Sequence, residues 1–183
     1  MIDPDLYRLG GKQVHAARDE PASDKRWRAL TEQANRVYQT GDFGAARPLY
    51  EQALTEADRL LALAPDPERI PVPVICTISC HNLAALAERF GDRQAAETHY
   101  RGAYDRLLKT AKSPMANLAL RLACVKQFDN ALSMLVTHLR DCVHDPGEIA
   151  ALIDAAQSTA IDVLNVVRHA VADGNGPSGR KPS

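Results

Sequence analysis

Apolar residues in this chain recur every three to four positions, as on amphipathic helices, and no segment alternates with a period of two for long enough to suggest a sheet. Breaker residues divide the helical pattern at Gly41-Asp42, in a proline-rich link, at Gly91-Asp92 and at Ser113-Pro114. We expect helices over about 25–40, 45–63, a third ending at Phe90, 93–111, a fifth opened by Ser113-Pro114 and a sixth after Gln127-Phe128. The fold class predicted from this pattern is all-α.

The last predicted helix has the clearest start signal in the chain. Asp145-Pro146-Gly147-Glu148 places a capping carboxylate, a proline at the first helical position and a glutamate in capping-box order. The helix then carries a one-sided apolar stripe, which we expect to be buried against the preceding helices and to cap the end of the fold. The stripe consists of Ile149, Leu152, Ile153, Ala156, Ala160, Val163, Leu164, Val167 and Val171.

The predicted helical domain covers residues 23–172, between two segments without helical periodicity. Residues 1–22 contain Gly10-Gly11 and Pro21, and we interpret them as a loose N-terminal arm. Residues 173–183 are rich in Gly, Pro and Ser, a composition typical of a disordered tail.

Composition narrows the classes of function. Hydrophobic residues make up 45% of the chain but aromatic residues only 5%, so we expect a core of Ala, Leu, Val and Ile in closely packed helices. The net charge of -1 gives no reason to expect nucleic acid or an anionic membrane as a partner. No secretory signal and no uninterrupted apolar run of roughly 18 residues is evident, and the expected location is the cytoplasm.

Three segments share a repeated pattern: Gly41-Asp42-Phe43-Gly44-Ala45-Ala46, Gly91-Asp92-Arg93-Gln94-Ala95-Ala96 and Lys126-Gln127-Phe128-Asp129-Asn130-Ala131. A bulky residue follows each at the same distance: Tyr50, Tyr100 and Leu135. The pattern resembles the tetratricopeptide repeat (TPR), a helix-turn-helix unit of about 34 residues. The resemblance covers about residues 25–143. It implies a right-handed α-solenoid of about three TPR-like helix pairs plus a C-terminal capping helix.

The repeat spacing departs from the family pattern. The interval from Phe43 to Arg93 is about sixteen residues longer than the standard of about 34, and it resembles the extended repeats of kinesin light chains. The third unit is also degenerate, because His138 replaces the second alanine of its second helix. An irregular helical bundle is the alternative architecture.

The resemblance implies a concave groove, lined by the first helix of each pair, that binds an extended peptide. The positions that it assigns to partner binding are Arg28, Thr31, Asn35, Tyr38, Ile78, His81, Asn82, Ala85, Arg89 and Asn117. Three of them are asparagines, whose amides can both donate to and accept from a peptide backbone. The alternative is that these asparagines cap or cross-link helices.

The expected function is therefore a non-catalytic, adaptor-like or chaperone-like module that binds a protein or peptide. Family members that bind acidic chaperone tails need basic residues where this chain has Thr31, Ser113 and Asn117, and that specific partner is excluded. The second hypothesis is self-association as a homodimer, through the groove or the last helix.

Cysteine chemistry supplies a more distant hypothesis. Cys76 and Cys80 share a helix face beside His81, a set that could bind a soft metal in a sensor, but packing in the core is the preferred explanation because Cys80 falls at a core position of the repeat. Cys142-Val143-His144 has no acid in a predictable position to orient the imidazole. No metal or cofactor is therefore expected.

Overall fold

The computed structural model describes residues 22–142 and 145–174, which contain six α-helices and no strand. The chain is thus all-α over this part, as expected. Residues 1–21 of the predicted arm (1–22), residues 175–183 of the predicted tail (173–183) and the dipeptide 143–144 lie outside the described residues. The helices are α1 (Lys25–Gln39), α2 (Phe43–Leu63), α3 (Val72–Arg89), α4 (Arg93–Lys112), α5 (Leu118–Asp141) and α6 (Pro146–Gly174).

The two turns inside the first and second helix pairs are built alike. Gly41 and Gly91 have φ angles of 84° and 71°, a left-handed conformation that favours glycine. The aspartate that follows each glycine caps the next helix, because Asp42 and Asp92 accept hydrogen bonds from the backbone N–H groups of the residues three positions further on, at 3.0 and 2.9 Å. The repeat signal in the sequence therefore corresponds to two equivalent turns.

The prediction of a third repeat unit with a turn at Gln127-Phe128 is wrong. Its anchor at Gln127-Phe128 lies inside α5, which runs without a break from Leu118 to Asp141. The physical reason is that this segment has no glycine to adopt a left-handed turn, and Phe128 is instead buried in the core. The helices therefore number six in the described chain, one fewer than the three pairs and a cap that we expected.

The predicted start of the fifth helix also needs correction. Ser113-Pro114 opens a turn, in which the Ser113 hydroxyl accepts a hydrogen bond from the Met115 N–H at 3.3 Å. The helix begins four residues later, where the Asn117 side chain accepts a hydrogen bond from the Leu120 N–H at 2.8 Å.

Each helix packs against the next one along the chain, and additional contacts join α3 to α5 and α4 to α6. Small residues occupy the points of closest approach, because Ala34, Ala46, Ala84 and Ala96 have no exposed surface. Tyr50 and Tyr100 fill equivalent buried positions on α2 and α4. An ion pair also joins α2 to α4. The Arg106 guanidinium on α4 donates to both carboxylate oxygens of Asp58 on α2, at 2.6 and 2.9 Å.

The last helix is less buried than its sequence predicts. It begins at Pro146 as expected, yet of its apolar stripe only Ala156 and Val163 are fully buried, while Leu164 and Val171 are 51% and 62% exposed. By length and composition alone, Pro146–Ala172 is apolar enough to cross a membrane, a test that core helices of soluble proteins also pass. Scattered polar residues divide this helix, so it contains no uninterrupted apolar run of that length.

Candidate functional site

The candidate site is centred on one partly exposed stripe of α3. Most of α3 is buried between its neighbours, but one side remains accessible along the whole helix. We call this side the α3 stripe; it consists of Val74, Ile78, His81, Asn82, Ala85, Glu88 and Arg89. Five of these are residues that the sequence assigns to partner binding, so the structure brings the predicted α3 positions together on one accessible surface.

The first helix flanks the α3 stripe in parallel register. Trp27 Nε1 on α1 donates to Ser79 Oγ on α3 at 2.8 Å, and Arg89 Nε donates to the Tyr38 hydroxyl at 3.3 Å. These two contacts lie about eleven residues apart on both helices, so the intervening Thr31 must lie beside the middle of α3.

Besides Tyr38, two of the predicted α1 positions have partners within the fold. Asn35 Oδ1 accepts a hydrogen bond from the buried Tyr50 hydroxyl at 2.7 Å, and it thus joins α1 to α2. Arg28 forms an ion pair with Asp24 at 2.8 Å on the exposed surface. The amide of Asn35 is therefore used inside the fold, which agrees with the cross-linking alternative for this asparagine.

The fifth helix flanks the other side of α3, also in parallel. His138 Nδ1 on α5 lies 3.5 Å from Glu88 Oε1, near the end of α3. Gln127 and Lys126 line a cavity of about 290 Å³ together with Pro73 and Val74, near the start of α3. Between these two contacts the helices run side by side, so Gln127 lies next to the first half of the α3 stripe.

Four buried side-chain atoms in the described residues have no hydrogen-bond partner, and all four lie along this surface. They are Thr31 Oγ1 on α1, His81 Nε2 and Asn82 Nδ2 on α3, and Gln127 Oε1 on α5. Such groups are uncommon, because a buried polar atom without a partner costs free energy. Their concentration around the middle of α3 marks a surface with unused donors and acceptors.

Asn117 does not belong to this set. It is the N-cap of α5, and its Nδ2 donates to the Ala64 carbonyl at 3.4 Å. The assignment of Asn117 to the groove followed from the incorrect third unit. Gln127, which the same error placed in a turn, is the α5 residue that reaches the α3 stripe.

A second polar cluster, which the sequence did not reveal, closes the far end of the stripe. The Tyr100 hydroxyl donates to Glu88 Oε1 at 3.1 Å, and His138 Nε2 lies 3.2 Å from the Arg93 carbonyl and 3.6 Å from Cys142 Sγ. The shorter contact requires a proton on Nε2, so this imidazole cannot accept the proton of the thiol. The cluster therefore joins α3, α4 and α5 and does not form a nucleophile. These residues are far apart in the sequence and meet only through the packing of the helices, so no local motif reveals the cluster.

Burial governs the protonation of the groups around the stripe. It lowers the pKa of the His81 imidazole, so this imidazole is neutral at pH 7. The imidazole packs edge-on against Tyr100, with 5.6 Å between the two ring centroids. Burial, with the nearby Glu88 carboxylate, raises the pKa of Tyr100 to about 12. The surface thus presents neutral hydrogen-bonding groups at its centre.

The thiols give no support to a metal site. Cys76 and Cys80 have no exposed surface, and burial raises the pKa of Cys80 to about 11 and that of Cys76 further. Cys76 Sγ points at the Ala57 carbonyl, 3.7 Å away. Within the described residues, no group of three or more His, Cys, Asp or Glu side chains could hold a metal ion.

Comparison with known proteins identifies the family. A family model described as "Protein of unknown function (DUF2753)" matches residues 25–169. The chain belongs to this family. No curated protein and no solved structure matches it. The matched part spans all of α1 to α5 and most of α6, so the surface around α3 lies within the region that defines the family. The family description does not mention the tetratricopeptide repeat, and that resemblance stays a prediction.

Proposed function

We propose that the chain is a protein-interaction module that binds an extended segment of a partner polypeptide along the α3 stripe, in an adaptor-like or chaperone-like role. The observation that carries the proposal is the set of four buried, unpartnered polar atoms beside the middle of α3. The layered contacts between helices and the two equivalent glycine-aspartate turns support a TPR-like solenoid as the scaffold.

The chemistry of these atoms fits a peptide backbone. Asn82 Nδ2 is a donor and Gln127 Oε1 an acceptor, while the His81 imidazole and the Thr31 hydroxyl can each do either. An extended peptide offers alternating N–H and C=O groups, which such a set can satisfy without a particular side chain. A bound backbone would relieve polar groups that the free protein leaves unpaired.

The apolar members of the stripe supply contact area. Ile78 is 37% exposed and Ala85 is exposed further along the same helix side. The surface is thus mixed, with neutral polar atoms between apolar side chains and the opposite charges of Glu88 and Arg89 at one end. This composition favours a neutral or mixed peptide over a strongly acidic one.

Selection from a random peptide library displayed on phage would test the proposal. We expect wild-type protein to select peptides that the double variant Asn82→Leu with Gln127→Met binds about 10- to 100-fold more weakly, as the loss of two hydrogen bonds implies. Fluorescence anisotropy with the selected peptides measures the difference.

The matched control is Gln52→Leu, which removes an amide from the exposed surface of α2. It should leave peptide affinity unchanged. Equal affinity of the wild type and the double variant, or selection of no peptide at all, would remove the α3 stripe from consideration as a binding site.

A further inference from the structure

A second surface, on the opposite side of α5, combines buried and partly buried apolar residues that line a groove between α5 and α6. The two helices enclose an open groove of about 480 Å³ between them. Its apolar lining includes Phe128 and Leu132 from α5 and Ile153 and Ala160 from α6. The groove lies at the end of the helix order, where no further helix of the described chain covers it.

The α6 side of the groove has the spacing of a coiled-coil seam. Residues at alternating intervals of four and three share one face of the helix, and none of them is fully buried. In order they are Ile153, Gln157, Ala160, Leu164, Val167 and Val171. Five are apolar and one is an amide, which is how coiled coils fix their register with a single polar position. A straight helix with this repeat is suited to pairing with another helix.

The adjacent face of α5 has the same spacing. Its residues are Leu118, Leu122, Val125, Asp129, Leu132 and Val136, again five apolar positions and one polar position. Leu122 lies at the edge of this face and also lines the cavity near the start of α3. Asp129 and Gln157 both line the groove between the helices. The two seams run antiparallel and side by side, since α5 and α6 are consecutive helices in contact.

We propose that two copies of this chain pair through their α5–α6 faces as an antiparallel four-helix bundle. A two-fold axis at the level of Asp162 brings Leu164 opposite Ala160 of the second copy and Val171 opposite Ile153 of the second copy. These contacts bury the two most exposed apolar residues of the seam, Leu164 at 51% and Val171 at 62% exposure in the single chain. The interface is isologous, as expected of a homodimer.

Charge complementarity supports the antiparallel direction. Asp154 and Arg168 are exposed on the same flank of the α6 seam, seven residues to either side of Ile161. The same axis places Asp154 within about 3 Å, measured along the helix, of Arg168 of the second copy. The pair forms twice across the interface, whereas parallel helices would separate these residues.

The size of the surface fits a modest affinity. The α6 seam from Ile153 to Val171 is about 27 Å long, and two helices together are about 20 Å wide. The footprint is therefore about 500 Å² on each copy, or about 1,000 Å² in total, near the lower limit for specific interfaces. We expect a dimer that dissociates on dilution.

The charges on α6 argue against a lipid surface. Helices that lie on anionic membranes carry Lys and Arg on their polar side. Over residues 146–172, α6 has one basic residue of this kind, Arg168, against Glu148, Asp154 and Asp162. Asp129 also places a carboxylate beside the apolar groove.

Sedimentation velocity of the full chain, from about 1 to about 100 µM, tests the proposal. We expect a dimer at the upper end, with a dissociation constant that Leu164→Glu raises by at least about tenfold. Leu63→Glu changes an equally exposed leucine on α2 and should have no effect. A monomer at every concentration, or a dimer that Leu164→Glu leaves unchanged, would overturn the proposal.

Two further measurements test the arrangement. Asp154→Arg and Arg168→Asp should each weaken the dimer, and the double exchange should restore it. Under oxidation, Leu164→Cys mixed with Ala160→Cys should give a mixed disulfide, both in a Cys142→Ser background. A disulfide between two Leu164→Cys copies alone would mean a parallel pair and refute the antiparallel bundle. Binding of a monomer to vesicles with about a quarter phosphatidylglycerol would replace the dimer by a lipid surface.

Discussion

Replacing Asn82 by leucine removes a buried amide N–H₂ group that has no hydrogen-bond partner among the described residues. Leucine has nearly the same shape as asparagine, so the change deletes polarity and leaves the packing in place. An unsatisfied buried donor costs about 1–3 kcal/mol, and an apolar replacement recovers part of this cost. Because Asn82 is only partly buried, we take the lower end and expect a gain of about 1 kcal/mol in the free energy of unfolding.

Gln127→Met applies the same change on α5, where Gln127 Oε1 is the unpartnered atom. The two substitutions lie on different helices and remove different groups, so their effects should add to about 2 kcal/mol. For a chain of this size, that gain raises Tm by about 4–8 °C. Urea and thermal unfolding, followed by far-UV circular dichroism at one fixed protein concentration, measure both quantities.

Asn35→Leu is the matched control, because it makes the same chemical change at an amide that has a partner. Asn35 Oδ1 accepts the hydrogen bond of the buried Tyr50 hydroxyl, which the variant would leave unsatisfied. We expect a loss of about 1–3 kcal/mol there. If Asn82→Leu destabilises the protein as much as Asn35→Leu does, the amide of Asn82 is satisfied in the free protein and the reasoning for the α3 stripe is refuted.

Three further predictions concern the turns, the thiols and the histidines. Gly91→Ala forces a side chain into a φ of 71° and should cost about 1 kcal/mol in chemical denaturation, whereas Gly44→Ala, inside α2, should gain up to about 1 kcal/mol; equal effects would contradict the role of the turn. In native protein, a thiol reagent should modify Cys142 quickly, and the remaining three thiols should react only on unfolding, because they are buried and burial raises their pKa values; mass spectrometry of digests checks this for Cys76, Cys80 and Cys124. Burial, with a contribution from a nearby arginine, lowers the pKa of His99 below that of a histidine in the unfolded chain. The unfolded chain therefore binds more protons than the folded chain, and the free energy of unfolding should fall as the pH drops from about 7.5 to about 5.5. His99→Gln should flatten that slope and His169→Gln, at an exposed position, should not.

Local signals in the sequence predicted several helix boundaries but not the start of α5, where Ser113-Pro114 opens a turn. The glycine-aspartate turns and the start of α6 at Pro146 are among the boundaries predicted correctly. The prediction failed at Gln127-Phe128, where the spacing of apolar residues matched a repeat but no glycine was present to end the helix. A periodic pattern thus shows which face of a helix is buried, while the break itself depends on one residue that can adopt a left-handed conformation.

The candidate site was predictable in part for the same reason. Positions on α3 could be assigned from the second unit, whose turn was correctly identified. The positions of Asn117 and Gln127 could not be predicted correctly. Asn117 was placed in the groove and Gln127 in a turn, and both assignments depended on the third unit. The contact of His138 with Glu88 joins residues 50 positions apart in the chain, and no local pattern encodes it. The seam of α6 was visible as an apolar stripe, but only the packing shows that Leu164 and Val171 stay exposed in the described part of the chain.

The fifth helix connects the two proposed surfaces and also separates them. Gln127 and Val125 are two positions apart, which is about 200° around a helix, so one points toward the α3 stripe and the other toward the α5–α6 groove. Binding of a peptide at the first surface therefore leaves the second free, and a dimer would present two α3 stripes. We expect Leu164→Glu to weaken the dimer and keep the affinity for a selected peptide. Asn82→Leu should weaken peptide binding and keep the dimer. Anisotropy and sedimentation on the same two variants measure this directly. Loss of both properties in either variant would mean that the two surfaces are one, and that α5 transmits a change in one face to the other.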